Sequence, residues 1–184
     1  MNLNLSKKKV LVTGSSKGIG LEIARQFALE GCHVVLNGRS EIPQNIMDTV
    51  PGSSSAIGDV SSEVGANKVV SEAHQKLSGL DIIVCNVGSG RSVAPGKENL
   101  KEWHKSFTEN FYSTTCIVEA ARPFLKASQG VIICISSICG SETIRGAPVT
   151  YSVSKAALNA YVRGISRPLG EEGIRICGVA PGNI

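Results

Sequence analysis

The sequence predicts a doubly wound α/β fold, a parallel sheet with helices on both faces, and three observations carry that prediction. Short runs rich in β-branched residues alternate with longer amphipathic or alanine-rich stretches along the chain. The runs are apolar throughout instead of alternating with polar residues, the pattern of strands buried on both faces. The first run ends in a glycine turn that opens directly into a helical stretch, as a strand-to-helix crossover in a parallel sheet requires.

In chain order, strands are predicted over 9–13, 33–37, 54–58, 81–85, 131–136 and 174–179. Helical patterns occupy 19–30, 62–77, 102–126 and 152–171, so most pairs of strands are joined by a helical crossover. The link between the second and third strands differs, because Pro43, Pro51 and Gly52 leave room only for a short irregular helix around 45–50. No internal repeat, low-complexity tract or linker divides the chain, which predicts one domain over 1–184.

Composition narrows the function. With 184 residues, 42% of them hydrophobic, the chain can bury one substantial core. The net charge of +4 comes from 19 basic and 15 acidic residues, and the one basic run, Lys7-Lys8-Lys9, forms no stripe. With aromatics at only 4%, there is little to stack on bases, so no nucleic-acid partner is expected. No stretch approaches the ~20 apolar residues of a membrane span, and residues 1–9 lack the apolar run of a signal peptide. A soluble, cytoplasmic protein without a membrane partner is the expectation. The six cysteines, Cys32, Cys85, Cys116, Cys134, Cys139 and Cys177, fall mostly in apolar runs with no Cys-x-x-Cys pair, as small buried hydrophobes do. The three histidines, His33, His74 and His104, lack ligand spacing, so no metal is expected.

In an open α/β sheet, ligands bind beyond the carboxyl ends of the strands. After the first strand comes the turn Gly14, Ser15, Ser16, Lys17, Gly18, Ile19, Gly20, which enters a helix at once. Glycines let the backbone approach a phosphate, and the helix N-terminus supplies N–H groups and a positive dipole end, the arrangement of a Rossmann dinucleotide site. A nucleoside-triphosphate loop would need Gly-Lys-Ser/Thr, whereas here Lys17 precedes Gly18. The second strand ends in Leu36-Asn37-Gly38-Arg39, where an NAD site usually places an acidic residue. Lys17 and Arg39 without a carboxylate suit a 2′-phosphate, so NADP(H) is expected over NAD(H).

Tyr151 and Lys155 stand four apart at the start of a helical stretch and share one face. An ammonium about 4 Å from a phenol is worth up to ~4 kcal/mol at an effective dielectric of 20, enough to lower a phenol pKa by about three units. Such a tyrosine can exchange a proton with a carbonyl or hydroxyl oxygen. The strand before it, Val131-Ile-Ile-Cys-Ile-Ser-Ser137, ends in hydroxyls at the carboxyl edge, where Ser137 can reach the same oxygen. A Ser-Ser at a strand end also serves as turn chemistry, so the constellation carries the weight.

The glycine turn, Asp59-Val60, Asn86-Val87-Gly88, Asn110, Ser137, Tyr151-x-x-x-Lys155 and Pro181-Gly182, in that order, resemble the short-chain dehydrogenase/reductase family. The nearest general likeness is to its 3-oxoacyl-(acyl-carrier-protein) reductases and their sugar- and polyol-oxidising relatives. The resemblance implies Tyr151 as general acid/base, Lys155 as the residue that lowers its pKa and holds the nicotinamide ribose, and Ser137 as the orienter of substrate. It implies that Asn110 organises a water-linked proton relay, that Asp59 and Val60 contact the adenine, and that Asn86 and Gly88 flank the cofactor, with Pro181, Gly182 and Ile184 closing the cofactor site. Hydride would pass between nicotinamide C4 and a carbonyl carbon of a small-molecule ketone or secondary alcohol. Cys85-Asn86-Val87-Gly88 departs from the family's usual Asn-Asn-Ala-Gly.

The resemblance also implies a substrate-covering loop and a last strand beyond residue 184. Their absence from the chain keeps an alternative open, a dinucleotide-binding fragment or pseudoenzyme without turnover. Arg91 and Arg145, in loops expected to border the pocket, suit an anionic substrate group or are solvated loop charges. The stretches 102–126 and 152–171 are expected to supply the helix-helix interface of a homo-oligomer, a dimer or tetramer, as the family commonly does.

Overall fold

A computed structural model describes residues 3–182. In chain order the elements are β1 (Lys9–Val12), α1 (Gly18–Leu29), β2 (His33–Gly38), α2 (Gln44–Met47), β3 (Ser54–Ile57), α3 (Glu63–Leu77), β4 (Ile82–Cys85), α4 (Leu100–Phe107), α5 (Ser113–Ser128), β5 (Val131–Ile135), α6 (Val149–Glu171) and β6 (Arg175–Val179). The strands form one parallel sheet in the order β3-β2-β1-β4-β5-β6. Strand order reverses between β1 and β4, so a crevice opens at their carboxyl ends.

Successive residues of each strand enter opposite cores. Leu11, Val35, Ile83 and Ile132 pack with Val69 and Val70 of α3, Ile117 and Leu125 of α5, and Leu158 of α6. Val10, Val12, Val34, Leu36, Ile82 and Val84 pack on the other face with Ala24, Leu21 and Phe27 of α1 and Ile46 of α2. The central strands β1, β2 and β4 are buried on both faces, which is why they read as unbroken apolar runs, whereas the edge strand β6 is largely exposed. Cys32, Cys85 and Cys134 are buried, Cys116 and Cys139 are partly covered, Cys177 is exposed, and all six are free thiols.

Two local features depart from the expected elements. The helix expected over 102–126 is interrupted by a π-helical turn, Thr108–Tyr112, between α4 and α5. Such a turn adds a residue to the spiral and disturbs the ladder of carbonyls. The Asn110 side chain compensates by donating from Nδ2 to the Ser106 carbonyl, four residues back, at 3.0 Å. After β5 comes a 3-10 turn, Ile138–Gly140, that no predicted element covered, with Ser137 as its N-cap.

The crevice walls are tied together by a buried amide. Asn37, in β2, accepts the Gly14 N–H on Oδ1 at 3.1 Å and donates from Nδ2 to the Ala56 and Gly58 carbonyls at 3.0 and 3.2 Å. Ser15, fully buried, bonds the Val12 carbonyl and accepts the Asn37 N–H. The glycine turn is thus hung from the end of β2 and the beginning of the segment after β3. Asn37→Leu keeps the volume but strands these backbone groups at ~1–3 kcal/mol each, so the variant is expected to lose roughly 3 kcal/mol of stability in urea unfolding. A loss below about 1 kcal/mol contradicts the clamp.

Candidate active site

A cleft of about 650 Å³ lies at the carboxyl edge of the sheet. Its floor is the glycine turn and first turn of α1, through Gly14, Lys17, Gly18, Ile19 and Gly20. One wall is the segment after β4, Asn86 and Gly88 to Gly90, and the other is Ile135 and Ser136 with Tyr151 and Lys155 of α6. Pro181 and Gly182 border it after β6.

The floor depends on close backbone approach. Gly14 has φ +61°, the left-handed region that favours glycine. A Cβ at Gly20 would collide with the Asn86 amide and the Gly14 carbonyl, so α1 can enter this close to β4 only with glycine there. Asn86 holds the contact by donating from Nδ2 to the Thr13 and Gly14 carbonyls at 3.0 and 3.1 Å. The Thr13 hydroxyl completes the joint, donating to the Val84 carbonyl and accepting the Asn86 N–H at 3.0 Å. Helices α3 and α4 are capped by the side chains of Ser62 and Asn99, whereas α1 has no side-chain cap. Its first-turn N–H groups and positive dipole end are therefore free to meet an anion on the cleft floor.

The wall carries the titratable chemistry. Lys155 is 3% exposed, and its Nζ donates to the Ile135 carbonyl at 2.8 Å. Burial pulls its pKa down to about 8, against a smaller opposing effect of Cys134. The Tyr151 ring lies one turn earlier with its centroid 5.9 Å from that ammonium. Its hydroxyl has no hydrogen-bond partner among the described residues. Ser137 is buried beside the wall and does not itself line the cleft, whereas its neighbour Ser136 does. The Ser137 Oγ accepts the Cys139 N–H at 3.2 Å, which leaves its own hydroxyl proton available to a donor contact.

Asn110 is fully buried behind the cleft and does not line it. Its Oδ1 accepts the Ser89 N–H at 2.8 Å and its Nδ2 donates to the Ser89 carbonyl at 3.1 Å, clamping the wall from both sides. Ser106, bonded to the same amide, donates to Ser154 Oγ, and Ser154 donates to the Tyr151 carbonyl at 2.8 Å. A chain of buried side chains thereby ties the π-helical turn to the helix that bears Tyr151.

Most of the sequence-predicted residues meet at this cleft, and several stand apart from it. Ser15 is structural, Ser16 is partly covered, and Lys17 and Arg39 are exposed, Arg39 outside the cleft wall. Asn37, read from the sequence as part of the phosphate-facing strand end, is turned inward. Val60 is a core residue, and Asp59 accepts the Ser61 N–H and hydroxyl at 3.0 and 2.7 Å. Those two bonds, aided by Arg39, hold the Asp59 carboxyl below its usual range. Arg91 and Arg145 are exposed and line no part of the cleft. Ile184 lies outside the described residues. Thr13, Ile135, Ser106 and Ser154 were not foreseen. Ile135 acts through a carbonyl, which no residue type signals, although its place at a strand's carboxyl end does. Among the described residues no group of three His, Cys, Asp or Glu gathers as metal ligands, and no helix is long and apolar enough to cross a membrane.

The short chain dehydrogenase family model matches residues 8–184. An uncharacterized oxidoreductase of Staphylococcus saprophyticus is 31% identical over 99% of this chain and 80% of its own length. Among solved structures, the Pseudomonas aeruginosa RhlG/NADP active-site complex superposes with a TM-score of 0.89 at 28% identity, covering 98% of this chain and 74% of that one. The NADH-dependent reductase A1-R′ complexed with NAD gives a TM-score of 0.91 at 25% identity, covering 100% of this chain and 81% of that one.

Burial of Lys155 has a pH signature. Its folded pKa of about 8 lies below the ~10.4 of an unfolded lysine, so between those values the unfolded chain binds more protons and stability rises with pH. The burial cost is fully present below pH 8 and gone above about 10.5. Wild type is expected to gain about 3 kcal/mol relative to Lys155→Met across that window in denaturant titrations. A difference that stays flat with pH contradicts the burial cost.

Proposed function

Because the chain belongs to the short-chain dehydrogenase/reductase family and is an oxidoreductase acting on CH–OH groups, we propose that it moves hydride between NADP(H) and a secondary alcohol or ketone, such as a 3-oxoacyl thioester or a sugar- or polyol-like compound. The observation that carries this reading is the ammonium of Lys155, buried at the carboxyl edge beside Tyr151 and open to the cleft.

The residues suit a dinucleotide. The uncapped start of α1 and the glycine turn offer N–H groups to a pyrophosphate, and Asn86 with Gly88 to Gly90 faces the same cleft. Bound nicotinamide supplies the hydride for reduction or receives it for oxidation. Tyr151 donates its hydroxyl proton to the carbonyl oxygen during reduction and takes it back during oxidation. Lys155, cationic below about pH 8, stabilises the phenolate that remains and holds the ribose hydroxyls. Ser137 donates its free hydroxyl proton to the same substrate oxygen, which orients the carbonyl. Asn110 keeps the Ser89 wall in place.

Related structures hold NAD in one case and NADP in another, so the preference for NADP(H) rests on this chain's own charges. Lys17 on the cleft floor and Arg39 just after β2 are exposed, and neither forms a close ion pair among the described residues, Arg39 acting on the Asp59 carboxylate only at longer range. Asp59 and Val60 then border the adenine, Asp59 with its carboxylate occupied by Ser61, and Pro181 and Gly182 flank the nicotinamide end. Homo-oligomer formation, as a dimer or tetramer through the stretches 102–126 and 152–171, belongs to the same reading, supported by the ring cluster Phe107 of α4, Phe111 and Tyr112 of the π-helical turn and Tyr161 of α6, of which Tyr112 is 46% exposed. A cytoplasmic location is part of it as well.

Turnover is tested with NADPH against ketones, oxoacyl thioesters and keto-sugars. Oxidation of NADPH with at least one class is expected, and Tyr151→Phe is expected to lower kcat about 100-fold or more with NADPH affinity unchanged. Binding of NADPH without turnover on any class favours the binding-only alternative, and full activity of Tyr151→Phe removes the assigned mechanism. For the cofactor, NADP is expected to raise Tm more than NAD at equal concentration, and Arg39→Asp to weaken NADP about tenfold, or ~1.4 kcal/mol, while sparing NAD. Equal stabilisation of the wild type by both nucleotides contradicts the role of Lys17 and Arg39.

A further inference from the structure

Tyr151, Lys155 and Asn159 recur every fourth residue along α6 and share one face of the helix. Tyr151 and Lys155 belong to the mechanism above; Asn159 does not. We propose that Asn159 is a positioning residue that fixes the end of β5 so that the Ser137 hydroxyl is presented to the substrate oxygen, an inference that rests on the role given to Ser137.

The Asn159 side chain bridges both ends of the 3-10 turn. Its Oδ1 accepts the Ser136 hydroxyl at 2.5 Å, and its Nδ2 donates to Ser141 Oγ at 3.2 Å. Between those two contacts the turn lies directly on α6. A Cβ at Gly140 would stand 2.7 Å from the Lys155 carbonyl carbon and 2.9 Å from Asn159 Nδ2, so the approach tolerates no side chain. On the other side the main chain is held by β6 and the segment after it. The Ser136 N–H donates to the Val179 carbonyl at 2.7 Å, and the Ile138 N–H donates to the Pro181 carbonyl at 3.1 Å.

The consequence for Ser137 follows from strand geometry. Its backbone is extended, with φ −163° and ψ 153°, and in extended chain neighbouring side chains point to opposite sides. With the Ser136 hydroxyl tied to Asn159, the Ser137 side chain falls on the opposite side of the extended chain. There its oxygen accepts the Cys139 N–H and its proton stays free. Both serines are buried, at 5% and 8% exposure, so an unanchored Ser136 hydroxyl would have to seek another acceptor by moving the strand end.

Three variants separate this role from general support of the fold. Asn159→Leu removes both bonds, Asn159→Asp keeps the acceptor for Ser136, and Ser136→Ala removes the partner without touching α6. The first reporter is the Cys139 amide, whose hydrogen bond ends on Ser137 Oγ. In NMR-detected hydrogen exchange it is expected to speed up about tenfold in Asn159→Leu and Ser136→Ala and to stay near wild type in Asn159→Asp, with NADPH affinity within twofold in the two Asn159 variants. Unchanged Cys139 exchange in Asn159→Leu and Ser136→Ala overturns the proposal. If Asn159→Leu does not fold, Ser136→Ala carries the same comparison.

The second reporter is a double-mutant cycle in kcat, using whichever carbonyl compound the wild type reduces. Asn159→Leu is expected to lower kcat about tenfold in the wild-type background and to have no further effect in Ser137→Ala. An equal loss in both backgrounds means that Asn159 does not act through Ser137. A wild type that reduces nothing refutes the functional reading alone, and the Cys139 amide still decides the positioning of Ser137.

Discussion

The ammonium of Lys155, buried at the carboxyl edge of β5 and bonded to the Ile135 carbonyl, is the constraint around which the cleft is arranged. A buried ammonium is costly unless its protons are taken up. One is satisfied by a strand-end carbonyl, and the side chain lines the cleft. That requirement fixes α6 against β5, and it fixes Tyr151 one turn earlier on the same face of the helix. The depressed pKa of Lys155 is the electrostatic mark of this burial.

The loops around that point lie where strand ladders end, so their backbone groups need other partners. Three side-chain amides supply them. Asn37 satisfies the glycine turn and the end of β3, Asn86 satisfies the turn from the β4 side, and Asn110 satisfies Ser89. Asn37 bonds the backbone of two segments distant in sequence, and Asn86 and Asn110 each tie their own segment to one that is distant. A polar network of this kind sets relative position more sharply than apolar packing does, because a small shift leaves several buried groups unpaired. Hydride and proton chemistry on a carbonyl depends on such placement.

The framework was legible in the sequence because two-sided burial leaves a plain pattern. The six strands lie within a residue or so of the expected runs, and α1, α3 and α6 follow the helical periodicity. The π-helical turn at Asn110 was hidden, since apolar spacing continues from α4 into α5 and one inserted residue does not break it. The direction of Asn37 was also hidden. A polar residue near the end of a strand looks solvent-facing until the register shows it on the same side as the buried Val35. Ser136 and Ser137 look equivalent in sequence, and only the extended backbone with Asn159 on one side tells them apart. Backbone acceptors such as the Ile135 carbonyl have no residue-type signature at all.

A structure of the protein bound to NADPH measures the central arrangement directly. The expected result places the pyrophosphate on the first turn of α1, the nicotinamide ribose within hydrogen-bonding distance of Lys155 Nζ and the Tyr151 hydroxyl, and the 2′-phosphate between Lys17 and Arg39. A dinucleotide bound elsewhere, or one whose nicotinamide end points away from Tyr151 and Lys155, would contradict it.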